Sequence, residues 1–234
     1  MGLKESGLRG SLRNVSVGID EIPDSVVAQY DATEEPSTGS VTSIDDLIGS
    51  LNLSGDCSVI SNGINDLQTY RFDGSQRMLV SELIAETPDD EPFAFAFVAQ
   101  QQESTGSGNV YLDGGDTVEF AIEDRDGDEI RIYRGGGWDG DPTDSATNDP
   151  HLFVLEGYDD NRIRLERDGE EVVDRSNDSL DLTGITLGGR ADDSDPRSIE
   201  IDFGQIEILV GFSQDDINAV KERLQEKWDT PDID

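Results

Sequence analysis

His151-Leu-Phe-Val-Leu155, Arg162-Ile-Arg-Leu-Glu-Arg-Asp-Gly-Glu-Glu-Val-Val173, Leu182-Thr-Gly-Ile-Thr-Leu-Gly-Gly189 and Ile199-Glu-Ile-Asp-Phe-Gly-Gln-Ile-Glu-Ile-Leu-Val210 follow one another and lead into Phe212 to Trp228. The order reads as strand, hairpin, strand, strand, helix. Alternation from Arg162 places Ile163 and Leu165 on one face. Asp168-Gly169 is a two-residue turn of the kind that closes tight hairpins. Gly188-Gly189 and Gly211 stop the strands before them. Ser213 is an N-cap with Asp216 three residues on, a loose capping box. Ile217, Val220, Leu224 and Trp228 share one helical face. Asp215 and Asp216 lie at the start, and Lys221, Arg223 and Lys227 later, as the helix dipole favours. Pro231 marks the expected stop.

These pieces, in this order and spacing, resemble the laminin G-like, concanavalin A-like jelly roll. Tyr30-Asp-Ala32 resembles that family's opening strand, and Tyr70-Arg-Phe-Asp-Gly-Ser75 its "FDGS" strand. The likeness runs from about residue 28 to 229. It implies an all-β sandwich with one C-terminal helix, preceded by an extended arm. Residues 1–27 are read as the arm and 28–234 as the jelly roll.

Between these landmarks, Phe93-Ala-Phe-Ala-Phe-Val98 predicts a central strand with Phe on one face and Ala on the other. Val118 to Ile122 and Ile130 to Tyr133 predict a hairpin. Ile44 to Ile48 predict a short helix capped by Ser43. Residues 134–150 predict a long loop, a setting that often carries function.

The composition narrows the class. The chain has 234 residues, 34% hydrophobic, with 53 acidic and 17 basic residues and a formal net charge of −36. Apolar periodicity persists throughout and the acids are interspersed, which reads as a folded protein adapted to high salt rather than a disordered one. At molar salt the Debye length falls to about 3 Å and self-repulsion is screened. Nucleic acid and anionic membrane surfaces are excluded as natural partners of such a surface. Cys57 is the single cysteine and His151 the single histidine, which removes an intrachain disulfide and argues against a zinc or Cys–His centre. No stretch approaches the roughly 20 apolar residues of a membrane span. The first ten residues carry charge without an apolar core, so they are read as something other than a secretion signal.

The arm differs from the rest. Leu3, Leu8, Leu12, Val15, Val17 and Ile19 are spaced irregularly among glycines, and Arg9 and Arg13 make it basic. Leu3, Leu8, Arg9, Leu12, Arg13 and Val15 are the expected assembly anchor. Gly7-Leu-Arg-Gly-Ser-Leu-Arg-Asn-Val15 with Ile22-Pro-Asp-Ser25 is similar to the leader of structural proteins in tailed viruses of salt-loving archaea. That second resemblance, confined to the arm, implies a particle-surface location. It implies copies of this chain and other virion proteins as partners.

Three sets of residues are candidate sites. Glu200 and Asp202 lie two apart on a strand, so both face one way. Retaining jelly-roll glucanases resemble this with a third carboxylate, where this chain has Gly204. The pattern is therefore broken, no catalytic residues are expected, and an outer salt-adapted face is the simpler reading. Asp124, Asp126 and Asp128 have the spacing of Ca2+ ligands, although Gly127 sits too early for an EF-hand loop. Trp138, with Asp139 and Asp141, is the candidate for stacking on a sugar ring or a partner. His151 is read as a strand-entry residue. Asn14, Asn52 and Asn177 begin sequons. The expectation is a non-enzymatic, homo-oligomeric virion surface protein contributing to host attachment. A free-standing glycan-binding adhesin is the alternative and a glycoside hydrolase the least favoured reading.

Overall fold

The computed structural model describes residues 22–80, 91–102, 107–114, 120–125, 129–134, 137–141, 149–158, 162–176, 184–190 and 199–230. Its first strands are β1 (Val26–Asp31), β2 (Gly39–Ile44), β3 (Leu53–Ile60), β4 (Thr69–Asp73) and β5 (Met78–Val80). Next come β6 (Phe93–Gln101), β7 (Ser107–Asp113), β8 (Phe120–Arg125), β9 (Glu129–Arg134) and β10 (Gly137–Asp141). The last are β11 (His151–Gly157), β12 (Arg162–Arg167), β13 (Glu170–Ser176), β14 (Ile185–Leu187) and β15 (Glu200–Val210), followed by helix α1 (Gln214–Trp228).

All pairings are antiparallel. The hydrogen bonding runs without a break as β10-β9-β8-β7-β14-β5-β3-β4-β15-β6-β11-β12-β13, with β1 on β15 and β2 on β3. The expected sandwich is thus one sheet curled over on itself, and β13 comes back alongside β9 and β10. β15 is the spine. β6 lies along one side of it, and β4 and β1 share the other. The register slips between Phe203 and Ile206, a bulge that turns Gly204 and Gln205 to the same outer side.

Two apolar layers result. Phe93, Phe95, Phe97, Ile163, Leu165, Ile206 and Ile208 all face the inner core, as the alternation predicts. Phe97 stacks on Phe153 and meets Phe203 at 5.8 Å. On the other face Ala94, Ala96, Val98, Val154 and Leu209 form a bed for Ile217, Val220, Leu224 and Trp228. Alanine in the Phe-Ala alternation is what lets the helix lie close. Both halves of the capping box at Ser213 and Asp216 form. The helix ends at Asp229 in the left-handed region, ahead of Pro231, which lies outside the described residues. Its three bases are clamps: Lys221 bonds Glu166 of β12, Arg223 bonds Glu207 of β15, and Lys227 bonds Asp31 at the end of β1.

Two expected elements differ. Ser43 and Ile44 end β2, and no helix follows. The Asp46 carboxylate accepts from the backbone N–H of Gln29, Ile48 and Leu51, so an aspartate-centred loop replaces the helical turn. The expected long loop is interrupted by β10, whose pairing with β9 places Trp138 opposite Tyr133. Arm residues 1–21 lie outside the described residues. After them Ile22 packs against the helix-side cluster, and Val26 opens β1 opposite Leu209. Among the described residues no helix is long and apolar enough to cross a membrane.

Candidate functional site

Of the Glu200/Asp202 pair only Glu200, half-buried, keeps contact with solvent, and Asp202 departs from the outer face that its sequence suggests. Asp202 is fully buried. Arg71 of β4 donates to it through Nε at 2.7 Å and Nη2 at 2.6 Å, and Gln102 donates at 3.0 Å. Both carboxylate oxygens are therefore occupied. The hydrogen bonds to Asp202 raise the Arg71 guanidinium further, keeping it charged. The neighbouring outward position, Gly204, lies under the indole of Trp228: a Cβ there would sit 2.7 Å from the ring. The position where a glucanase-like pattern needs its third carboxylate is filled by the helix.

The other sequence candidates fall at one end of the sheet path. Asp124 on β8 and Asp141 on β10 both pair with Ile130 of β9, so two acids read as separate sets share one row. Asp139 pairs with Ile132. Asp126 and Asp128 lie outside the described residues. Among the described residues no group of three His, Cys, Asp or Glu side chains is placed to hold a metal ion.

A cleft of about 830 Å³ opens elsewhere, at the C-terminal end of α1. Asn65, Asp149-Pro150-His151 and the helix residues Glu222, Gln225, Glu226, Asp229 and Thr230 line it. That size suits a small-molecule site. Three distant segments are bolted together to make it. Asn65 Nδ2 donates to the Trp228 carbonyl, tying the short turn at residues 64–66 to the end of the helix. The Asp168 carboxylate takes the Leu152 N–H at 2.9 Å and meets His151 Nδ1 at 2.5 Å, fixing the ring.

Left-handed backbone gathers here. Among the described residues four non-glycines have positive φ: Asn65 (49°), Asp66 (63°), Asp168 (51°) and Asp229 (47°). Two line the cleft, one adjoins it, and one holds His151. Asp229 is the left-handed cap of the helix and Asp168 the first residue of the hairpin turn, ordinary places for aspartate, so Asn65 and Asp66 are the two whose conformation belongs to the cleft alone. Thr230 is buried, and its hydroxyl has no hydrogen-bond partner among the described residues. The rim carries Asp149, Glu222, Glu226 and Asp229 at the negative end of the helix dipole, with amides from Asn65 and Gln225. Carboxylates and amides in a concave wall accept and donate to hydroxyl groups, and this wall repels an anion. Of these rim residues the sequence marks only Asp149, which with Asp139, Asp141 and Asp144 makes an acidic set of Ca2+-ligand type in the long loop. Glu222, Gln225 and Glu226 read as the solvated face of a helix, and nothing announces that Asn65 reaches them.

No protein-family model and no curated protein matches the sequence. Solved structures match it in shape. Trypanosoma rangeli sialidase in complex with sialic acid superposes with a TM-score of 0.62 at 13% identity, over 90% of this chain and 35% of that one. The receptor binding domain of botulinum neurotoxin D gives 0.63 at 15%, over 86% of this chain and 53% of that one. The mosaic serotype C/D domain, with tetraethylene glycol bound, gives 0.60 at 13%, over 86% and 51%. The likeness is one of fold. The chain spans about a third of the sialidase and half of the toxin domains.

Proposed function

We propose that the chain is a non-enzymatic display and attachment module of a salt-adapted virus particle, anchored by the part of its arm that precedes Ile22 and recognising a host-surface glycan. The cleft at the end of α1 carries the attachment half of this reading. Three segments converge there, one of them through the left-handed pair Asn65–Asp66, and its rim offers carboxylates and amides to a hydroxyl-rich ligand. Its sign favours a neutral or amine-bearing sugar over an acidic one. The structural neighbours, which include receptor binding domains and a sialic-acid complex, support a binding role for this sandwich shape. The basic, apolar arm and the leader it resembles support the anchoring half and the particle-surface location. Other virion proteins and further copies of this chain are then its neighbours.

A glycan array probed in molar KCl tests the attachment half. Binding to neutral or amino sugars is expected. Asn65→Ala and Glu226→Gln should each weaken it about tenfold or more, the effect of about 1.5 kcal/mol per hydrogen bond to a charged or fixed group. Binding confined to acidic sugars, or unchanged in both variants, would remove the cleft from the reading.

The non-enzymatic half has its own expected result. Polysaccharides incubated with the native chain should release no sugar. Asp202→Asn should lower stability by about 1 kcal/mol, because a charge-assisted bond is lost while Arg71, 38% exposed, keeps its access to water. Sugar release by the native chain that vanishes in Asp202→Asn, with the fold intact by circular dichroism, would establish hydrolysis.

A further inference from the structure

Among the described residues, β2, β10 and β13 end the sheet's hydrogen bonding, while β1 is covered by the Asp46 loop. β10 carries Asp139 and Asp141, and β13 carries Glu170, Glu171, Asp174 and Arg175. Charges of this kind protect an edge from pairing with another chain. β2 reads Gly39-Ser-Val-Thr-Ser-Ile44 and has neither charge nor proline. One side bonds β3, and no hydrogen bond to a described residue leaves the other. Val41 is only partly covered where it meets the inner core. An edge like this accepts an added strand with one apolar face.

The arm has no period over its whole length, but its last part contains such a segment. Asn14-Val-Ser-Val-Gly-Ile19 alternates, which in a strand puts Val15, Val17 and Ile19 on one side. We infer that residues 14–19 of a neighbouring copy add an antiparallel strand to the open edge of β2, with Val17 opposite Val41. Asn14 then faces Ile44, Ile19 faces Gly39, and Arg13 falls beside the exposed Asp45. Residues 1–19 hold three bases against one acid in a chain of net charge −36, so the donor segment has the sign that the acceptor lacks. At high salt the Arg13–Asp45 pair sets register, and the apolar face supplies the burial.

Chain reach decides the donor. Gly39 connects through Val59 and Tyr70 to Phe203, three strand spacings or about 14 Å across the sheet. Ile22 lies past the far end of β15, beyond the Val26–Leu209 pair. The three residues from Ile19 to Ile22 reach about 10 Å at most. A chain cannot place its own Ile19 beside its own Gly39.

This inference rests on the arm being an anchor and specifies what it grips. The test uses the full chain in molar KCl with Val17→Cys and Val41→Cys combined. Cys57 stands directly opposite Val41 on β3, so every variant also carries Cys57→Ala, which leaves no native thiol to link with Val41→Cys. Disulfide-linked dimers and higher chains are expected from the pair. Single variants should give less than about a tenth of that yield, and so should Ser16→Cys with Val41→Cys, which is out of phase. Free thiols in the pair, a disulfide closed within one chain, or equal linking by Ser16→Cys overturns the inference. Deleting residues 1–21 and scoring incorporation into particles tests the anchor separately. Lost incorporation without Val17–Val41 linking leaves the anchor standing and removes the β2 partner.

Discussion

In dilute buffer the protein is expected to melt at least about 10–20 °C below its midpoint in 2 M KCl. A shift of that size corresponds to about 5 kcal/mol for a chain of this length, a large part of the 5–15 kcal/mol that folded domains possess. The net charge of −36 understates the problem, because the cations are not on the surface in proportion. Arg131 is paired with the buried Glu123, Arg223 with the buried Glu207, and Lys221 and Arg164 with Glu166. Lys227 holds Asp31 and Arg71 holds Asp202. At least six of the 17 bases therefore neutralise carboxylates inside the fold, and the exposed acids are left with few counter-charges. Salt screens exposed charges strongly and buried pairs much less. Raising it should relieve the surface repulsion while leaving the internal clamps in place. The check is a series of thermal melts in rising KCl, with glycerol at matched viscosity as the uncharged control. A midpoint that stays level from dilute buffer to molar salt would end the salt-adaptation argument.

The sequence disclosed the frame and concealed the cleft, for physical reasons that specific residues show. Strands at Phe93, Arg162 and Ile199 are legible because burial of one face forces a period of two, and the Asp168-Gly169 hairpin because both residues take positive φ. The helix is legible from its cap and its apolar stripe. The misread loop at Asp46 shows the limit of local pattern: a carboxylate that collects three backbone N–H groups overrides weak helix propensity. Asp202 was misread for a related reason. An alternating acid looks solvated unless its partner is known, and Arg71 is 131 residues away. The rim of the cleft depends on contacts of that same long range, Asn65 to Trp228 being 163 residues apart. A period detects neighbours along an element. It does not detect where three elements meet.

Gly204→Glu brings function and fold to the same residue. On sequence alone this substitution completes the three-carboxylate pattern of a retaining glucanase, and a gain of hydrolysis is the naive expectation. The structure predicts the opposite. The bulge in β15 turns Gly204 toward α1, and the Trp228 indole rests on the bare backbone, its ring carbons 2.7–2.8 Å from where a Cβ would stand. Trp228 is fully buried, its Nε1 lies 3.4 Å from Gln205 Oε1, and Lys227 sits over its ring. Even a methyl group must push the indole off Ala94, Ala96 and their neighbours, and a carboxylate also enters without a cation. Overpacking costs about 1–3 kcal/mol, and an unpaired buried charge adds several more. The expected result is a loss of about 4 kcal/mol or more, with the midpoint in 2 M KCl falling by roughly 10 °C. Hydrogen exchange should locate the damage in α1, where Lys221, Arg223 and Lys227 lose their grip on Glu166, Glu207 and Asp31. No sugar should be released. Trp228→Ala together with Gly204→Glu should cost less than the two single losses added, since removing the ring makes room and admits water to the carboxylate. A Gly204→Glu chain that keeps its native midpoint, or that cleaves a polysaccharide, would mean that the outer side of β15 is open and that the carboxylate pattern, not the helix, governs this face.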